Sequence, residues 1–436
     1  MTTTLTAATP APPRTRGRWI TDWDPEDAGF WAATGRRTAR RNLVFSIFAE
    51  HIGFSIWLLW SAVAVSLPAA GFAFSVDQLF WLVAVPNLVG SVMRIPYTAA
   101  VARFGGRNWT AVSAALLLVP IGSMVWCVTH PGTPYWLFLV AAATAGFGGG
   151  NFASSMANIS YFYPERSKGA ALGVNAAGGN IGVAVVQFAV PLVVGFGIVY
   201  APLLWLVPVV LAVACALLFM DNLAVARADL SAQLSVLRSR HTWVMSWLYI
   251  GTFGSFIGYS AALPLLIKSQ FPESGSVFYA ALGPLVGSLS RPVGGWLSDR
   301  VGGARVTAVT FLTMALGVTG VLVSLDVHTF GLFLGSFLVL FVASGVGNGS
   351  TYRMIPAIFG AEAGGDAALG RTRAAAVIGL ASAIGAFGGF LIPRGFGMSI
   401  AHTGSITSAL LVFLAGYALC LVVTWRAYLR TALAFV

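Results

Sequence analysis

The chain has 436 residues, of which 57% are hydrophobic and only 9% carry a charge. A soluble protein of this length needs far more charged surface, so the composition excludes an ordinary globular domain and indicates a membrane protein with many spans. The formal net charge of +11 does not indicate nucleic-acid binding, because the basic residues are scattered over short loops and one N-terminal tail.

The chain begins with a polar stretch, residues 1–42, which we predict to be a cytoplasmic tail and juxtamembrane segment. Residues 1–18 are rich in Thr, Pro and Arg and lack the apolar core of a signal peptide, so we expect them to be disordered. Four acidic residues follow between positions 22 and 27. They are expected to be solvated at the membrane interface.

Twelve apolar runs follow, each long enough to cross the ~30 Å hydrocarbon core as a helix, which satisfies its own backbone hydrogen bonds. They lie roughly at 43–66, 78–102, 109–128, 134–160, 168–194, 199–219, 242–267, 277–298, 304–325, 329–358, 371–396 and 404–428. The sequence thus predicts an all-α integral membrane protein. Its two six-helix halves, 43–219 and 242–428, are joined by a polar cytoplasmic linker at 220–241 and followed by a cytoplasmic C-terminus at 429–436.

Arginines are concentrated in alternate loops between the predicted spans, before the first span and at the end of the last one. The intervening loops are almost free of basic residues, apart from Lys268 and Arg394. By the positive-inside rule both termini are cytoplasmic. We therefore expect a multi-pass protein of a bacterial-type cytoplasmic membrane, in contact with the lipid bilayer and monomeric.

The two halves repeat each other. Arg94 and Arg291 lie mid-span, 197 residues apart, and each is followed nine residues later by another arginine. Asn151 and Asn348, each at the end of a glycine-rich run, have the same offset. Two matches at one offset indicate a parallel duplication, an arrangement in which transporters bind substrate near the midplane between the halves.

The mid-span arginines indicate an anion site. A charge deep in a bilayer is costly and usually functional, and the planar donor fork of guanidinium suits oxyanions. Glu50 is the clearest acid within the spans, so at least one arginine is left to bind an anion. The alternative is that each arginine pairs with an acid or with helix-end carbonyl groups.

The fifth run carries glycines and amides. Gly169, Gly173 and Ala177 recur every four residues, which predicts a flat face for close helix packing. Asn175 and Asn180 lie in the same run. An amide can donate to an oxyanion without adding charge, or it can hold helices together.

Long stretches of the chain resemble the nitrate/nitrite porter (NarK-type) family of the major facilitator superfamily. The stretches are GGGNFASSMANISYFYP (148–164), ALGVNAAGGNIGVAVVQ (171–187), LYIGTFGSFIGYSA (248–261), GVGNGSTYRMIPAIF (345–359) and SAIGAFGGFLIPRGFG (382–397). The resemblance covers essentially all the spans. It implies the twelve-helix major facilitator fold and transport of nitrate, nitrite or both by alternating access.

The resemblance also implies roles for individual residues. The pair of arginines that holds the anion in that family corresponds to Arg94 and Arg291, and its signature asparagine corresponds to Asn180. Asn175 is a further candidate for orienting the anion. The aromatic residues that sandwich the flat anion correspond to Phe152, Tyr249 and Phe253.

Glu50 and His51 lie about two turns into the first span. The resemblance implies that exchangers lack protonatable residues along the path, so this pair leaves the coupling mode open. Glu50 either carries a proton together with the anion or is a static partner of an arginine. The function is therefore expected to be nitrate/nitrite antiport or proton-coupled nitrate symport.

The segment Asp299-Arg300 through Arg305 resembles the cytoplasmic loop motif of the superfamily, and Arg103 and Arg107 occupy the matching loop of the first half. Asp and Arg side chains there can form charge pairs that a conformational change must break, which predicts gating. The alternative is that these charges only fix the topology.

Other function classes find little support in the chain. No nucleophile–base pairing, nucleotide loop or metal cluster stands out, so we expect neither an enzyme nor a cofactor. The three cysteines lie within apolar runs without metal-ligand spacing. Two alternatives remain: a transporter of another small anion, and a membrane sensor that binds nitrate without flux.

Overall fold

A computed structural model describes residues 14–225, 235–273 and 275–430. These ranges contain twelve long helices, α1 to α12 in chain order. α1 is Ala28–Trp57 continued by Leu59–Ser66, and α8 is Leu282–Val301. The others are Val76–Phe104 (α2), Gly106–Thr129 (α3), Tyr135–Phe162 (α4), Glu165–Val194 (α5), Tyr200–Phe219 (α6), Arg240–Gln270 (α7), Gly303–Asp326 (α9), Phe330–Glu362 (α10), Leu369–Thr403 (α11) and Thr407–Leu429 (α12).

The helices fit a bundle that crosses a membrane twelve times. Within the described ranges, ten helices are long and apolar enough to span a bilayer. The two segments of α1 together are also long and apolar enough, with a bend of 41° between them. α8 has 20 residues and is less apolar, because it carries Arg291 in its middle and Asp299 and Arg300 at its end. The all-α, twelve-helix expectation is confirmed.

The internal repeat is visible in the turns between helices. Gly105, between α2 and α3, has φ of 84°, and Gly302, between α8 and α9, has φ of 94°. The two glycines are 197 residues apart in the sequence, the same offset as the two arginines. Positive φ at these values is strained for residues with a Cβ, so glycine is required at both turns.

Close packing of α5 on α1 uses other glycines than the sequence suggested. A Cβ built at Gly178 or Gly182 would lie 2.5 or 2.2 Å from atoms of α1. Gly169 and Gly173, which we expected to form the flat face, have nothing within 4 Å of such a Cβ. The four-residue spacing was therefore the wrong signal, because at Gly169 and Gly173 no neighbouring helix comes close enough to need a glycine.

The start of the chain is ordered where we expected disorder. Strand β1 (Arg14–Thr15) pairs antiparallel with β2 (Trp19–Ile20), and β2 pairs parallel with β3 (Asn222–Leu223), at the start of the predicted linker. Residues 1–13 of the expected tail, and residues 226–234 and 431–436 of the predicted linker and C-terminus, lie outside the described ranges. We call the side of the bundle that carries this small sheet the linker face.

A buried carboxylate explains the order at the linker face. Asp221 is fully buried and accepts hydrogen bonds from Arg14 Nε at 2.9 Å and Arg18 Nε at 3.1 Å. It also pairs with Arg41 of α1 and accepts from Asn42. A buried charge must be paired, and this one fastens the N-terminal segment and the first linker residues to the first half.

Polar contacts join the two halves at the side opposite the linker face, which we call the far face. Asp77, at the start of α2, pairs with Arg394 of α11 at 2.7 Å. Gln187 of α5 donates to the backbone carbonyl of Ser260 in α7. Aromatic rings pack between the halves at the same level. These contacts close the bundle at the far face.

Candidate functional site

Arg94 lies in the middle of α2 and is fully buried. Its Nη1 donates to the backbone carbonyl of Ser382 in α11 at 3.0 Å, so the side chain reaches across from the first half to the second. Its Nε and Nη2 have no hydrogen-bond partner among the described residues. These two groups share one edge of the planar guanidinium, so Arg94 offers a parallel pair of donors.

Arg291 reaches the same region from α8 and is 5% exposed. Its Nη2 donates to the hydroxyl of Tyr249 at 3.4 Å. Its Nη1 is buried without a partner in the part of the chain that the structure describes. Arg291 is therefore a second cation at this site with an N–H donor available to a bound anion.

Aromatic rings hold the two guanidinium groups together. The ring centroid of Phe152 lies 4.6 Å from Cζ of Arg94 and 5.7 Å from Cζ of Arg291. Phe253 lies 4.8 Å from Cζ of Arg94 and stacks on Tyr249, with ring centroids 5.3 Å apart and an interplanar angle of 11°. Stacking of a guanidinium on aromatic faces is attractive where water is excluded. The structure thus brings together all five of these predicted residues.

Sequence reasoning missed three contributors to this cluster. Trp57 lies 5.4 Å from Arg94, and Tyr352 lies 5.2 Å from Arg291. Tyr352 lies in one of the stretches that carry the family resemblance, and Trp57 shares a face of α1 with Glu50, so the sequence contained a feature that could have identified each. No sequence feature could have identified the carbonyl of Ser382, because every residue has a backbone acceptor.

The two asparagines of α5 have different surroundings. Asn180 is buried, and neither atom of its amide has a partner among the described residues. The amide of Asn175 donates to Oε2 of Glu50 at 2.7 Å and to the hydroxyl of Ser155 at 2.6 Å. Asn175 is thus placed against Glu50, and its contact with an anion remains a prediction.

Glu50 is held between α1, α4 and α5 and is 1% exposed. A Cβ at Gly179 would lie 2.2 Å from its Oε1, so any larger residue there would force the Glu50 side chain to shift. It interacts electrostatically with both Arg94 and Arg291. A polar cavity of about 10 Å³ adjoins it, which is the size of a single water molecule. Nδ1 of His51 donates to the carbonyl of Gly178 at 3.1 Å.

The loop residues predicted to act in gating contact partners within their own halves. Asp299 pairs with Arg353 of α10, and both side chains are about half exposed at the linker face. Arg107 donates to the carbonyl of Leu217, at the end of α6, through Nε at 3.0 Å and Nη2 at 2.7 Å.

The other three loop arginines are held by neighbours in sequence. Arg300 lies over the ring of Trp296 at 4.0 Å, and Arg103 lies 5.8 Å from the ring of Phe104. Arg305 donates to a carbonyl one turn earlier. A role in gating remains a prediction for all five loop residues. No group of three or more His, Cys, Asp or Glu in the described ranges is placed to hold a metal ion.

Similarity to known proteins extends over most of the chain. The model of the Major Facilitator Superfamily matches residues 45–393. The nitrate/nitrite transporter NarU of Escherichia coli (strain K12) is 41% identical, over 94% of this chain and 96% of its own. The probable nitrate/nitrite antiporter NarK2 of Thermus thermophilus is 37% identical, over 95% of this chain and 97% of its own.

A solved structure shows the same fold at low sequence identity. The crystal structure of a D-xylose-proton symporter aligns with a TM-score of 0.66 and 16% identity, covering 89% of this chain and 98% of that one. The family match and the relatives at about 40% identity cover most of the chain. The chain therefore belongs to the Major Facilitator Superfamily and, within it, to the nitrate/nitrite porter (NarK-type) family.

Proposed function

We propose that this protein carries nitrate and nitrite across the membrane by alternating access, with the anion bound between Arg94 and Arg291. The observation that carries the proposal is the edge of Arg94, whose Nε and Nη2 are buried without a partner among the described residues. The names of the relatives, which are nitrate/nitrite transporters, support it.

The shape of the site suits a small planar anion. Two oxygens of nitrate or nitrite accept from the edge of Arg94, as a carboxylate does in a bidentate pair. Phe152 and Phe253 cover the faces of the anion, and Nη1 of Arg291 and the amide of Asn180 donate to its remaining oxygen. Asn175 acts indirectly, by holding the carboxylate of Glu50.

The charges of the site favour exchange of one anion for another. With Arg94 and Arg291 charged and Glu50 ionised, the empty site carries one net positive charge, and a bound monovalent anion makes it neutral. An uncompensated charge in a low-dielectric interior is costly. The halves therefore close around an occupied site, and nitrate on one side is exchanged for nitrite on the other.

Proton-coupled uptake is a second candidate, favoured by the position of Glu50. Its Oε1 has no hydrogen-bond partner among the described residues, so it can accept a proton there. If a proton enters with nitrate, the net charge of the loaded site equals that of the empty one. Charge then gives neither form an advantage in reorientation, and net uptake without exchange requires that the empty form reorients as well. His51, whose Nδ1 contacts the carbonyl of Gly178 in α5, relays the proton toward that helix.

The orientation of the protein follows from its arginines. We place the linker face on the cytoplasmic side of a bacterial-type cytoplasmic membrane, with both termini inside, and take the monomer as the transporting unit. The Asp299–Arg353 pair then lies at the cytoplasmic mouth, where the movement of α8 against α10 changes it.

The test is nitrate uptake into proteoliposomes with the membrane potential clamped. Nitrite-loaded vesicles are compared with empty vesicles under an inward proton gradient, for wild type and Glu50→Gln. Uptake that requires internal nitrite supports exchange. Uptake into empty vesicles that is lost in Glu50→Gln supports symport. Nitrate binding without flux in either would refute transport and indicate a sensor, and stronger inhibition by an unrelated anion would indicate a different substrate.

A further inference from the structure

The ion pair at the far face has the chemistry of an anion site. Nη1 of Arg394 lies 2.7 Å from Oδ1 of Asp77, and the two side chains are 12% and 33% exposed. The guanidinium lies over the ring of Trp81, with Cζ 4.0 Å from the centroid. Arg394 thus has an aromatic ring against one face of its guanidinium and one carboxylate oxygen bound to its Nη1.

The central site repeats this arrangement. Arg94 also lies against aromatic rings, with centroids 4.6 and 4.8 Å from its Cζ, and it offers an edge of N–H donors. A carboxylate and nitrate are both small, planar and monovalent, and each presents two oxygens to a guanidinium. The carboxylate of Asp77 therefore occupies the position on Arg394 that a nitrate or nitrite ion can take.

The two arginines lie along the same pair of helices. Asp77 and Arg94 belong to α2, and Ser382 and Arg394 belong to α11. Arg394 follows Ser382, the partner of Arg94, by 12 residues, which is about 18 Å along a helix. An anion that enters from the far face therefore meets Arg394 before it meets Arg94.

Asp77 and Arg394 belong to different halves, so separation of the halves at the far face must break their pair. We propose that Arg394 then becomes an external capture site, at which an incoming nitrate or nitrite ion replaces the Asp77 carboxylate before it moves to Arg94. When the far face closes, Asp77 returns and displaces any anion that has not moved inward. This inference rests on the proposed alternating-access transport of these anions.

The test uses two substitutions that break the same ion pair. Asp77→Asn removes the competing carboxylate and leaves the cation, whereas Arg394→Gln removes the cation. Nitrate uptake into nitrite-loaded proteoliposomes of uniform orientation is measured with nitrate added at either face. We expect Arg394→Gln to raise the far-face KM about tenfold, which corresponds to a loss of about 1.4 kcal/mol of binding free energy. We expect Asp77→Asn to lower the far-face KM severalfold, because no carboxylate then competes with the anion for Arg394. The KM at the linker face should change less than twofold.

A purely structural latch gives a different pattern. If the pair only holds the far face closed, both substitutions shift the far-face KM in the same direction, and that result would overturn the proposal. Arg394→Lys, which keeps the charge, should retain part of the capture effect, and equal melting temperatures exclude misfolding. Absence of nitrate flux in the wild type would instead refute the proposed function itself.

Discussion

Replacement of Arg94 by lysine tests whether the geometry of the guanidinium edge matters or only its charge. The structure leaves Nε and Nη2 of Arg94 available together and commits Nη1 to Ser382. Lysine keeps a positive charge but cannot present two parallel donors in one plane while also reaching that carbonyl. We therefore expect the loss of about one charge-assisted hydrogen bond to the anion.

The size of this loss can be estimated. A hydrogen bond to a charged group contributes about 1.5–3 kcal/mol, which corresponds to roughly 10- to 150-fold weaker binding. Nitrate affinity is measured by equilibrium binding to the purified protein in detergent, and uptake is measured in nitrite-loaded proteoliposomes. Arg166→Lys is the matched control, because Arg166 is exposed at the start of α5 and should bind nitrate like the wild type. Nitrate affinity of Arg94→Lys within threefold of the wild type would refute the role of the guanidinium edge.

Three further substitutions test other parts of the site and its support. Gly179→Ala should destabilise the protein by about 1–3 kcal/mol, because the new Cβ would lie 2.2 Å from Oε1 of Glu50. Gly173→Ala is the control: nothing lies within 4 Å of its Cβ, so its melting temperature should stay near that of the wild type. Phe152→Leu should weaken nitrate binding roughly 2- to 30-fold, since a buried cation–π contact contributes about 0.5–2 kcal/mol; unchanged titration curves would contradict this. Asp221→Asn should release the N-terminal segment, so trypsin should cleave after its arginines several times faster, and equal cleavage rates would show that the carboxylate does not hold it.

Much of the fold was predictable because it depends on the length of the apolar runs and on the repeat between the two halves. The twelve apolar runs predicted twelve helices, and the 197-residue offset of Arg94 and Arg291 predicted that both arginines would lie in equivalent positions. The structure brings both to one aromatic cluster. The sequence carries this information because a charge inside a membrane span is rare enough to be read without an alignment.

Other features could not be read from the chain because they depend on contacts between distant segments. The ordering of residues 14–20 depends on Asp221, more than 200 residues later, and composition alone predicted disorder. Gly169 and Gly173 are spaced as in a helix-packing motif, but no neighbouring helix lies against them. The need for a small residue at Gly179 comes from the carboxylate of Glu50 in another helix, and this contact is visible only in the structure. Ser382 contributes through its backbone, which any residue type can do.

The most direct test of the central claim is nitrate uptake into nitrite-loaded proteoliposomes containing the wild type, Arg94→Ala or Arg291→Ala. Equal amounts of folded protein are confirmed by melting temperature and by size-exclusion chromatography. We predict saturable uptake by the wild type and only background uptake by either variant, because each removes a cation that the bound anion must neutralise. Wild-type uptake no greater than that of protein-free liposomes, or full uptake by either variant, would contradict the account.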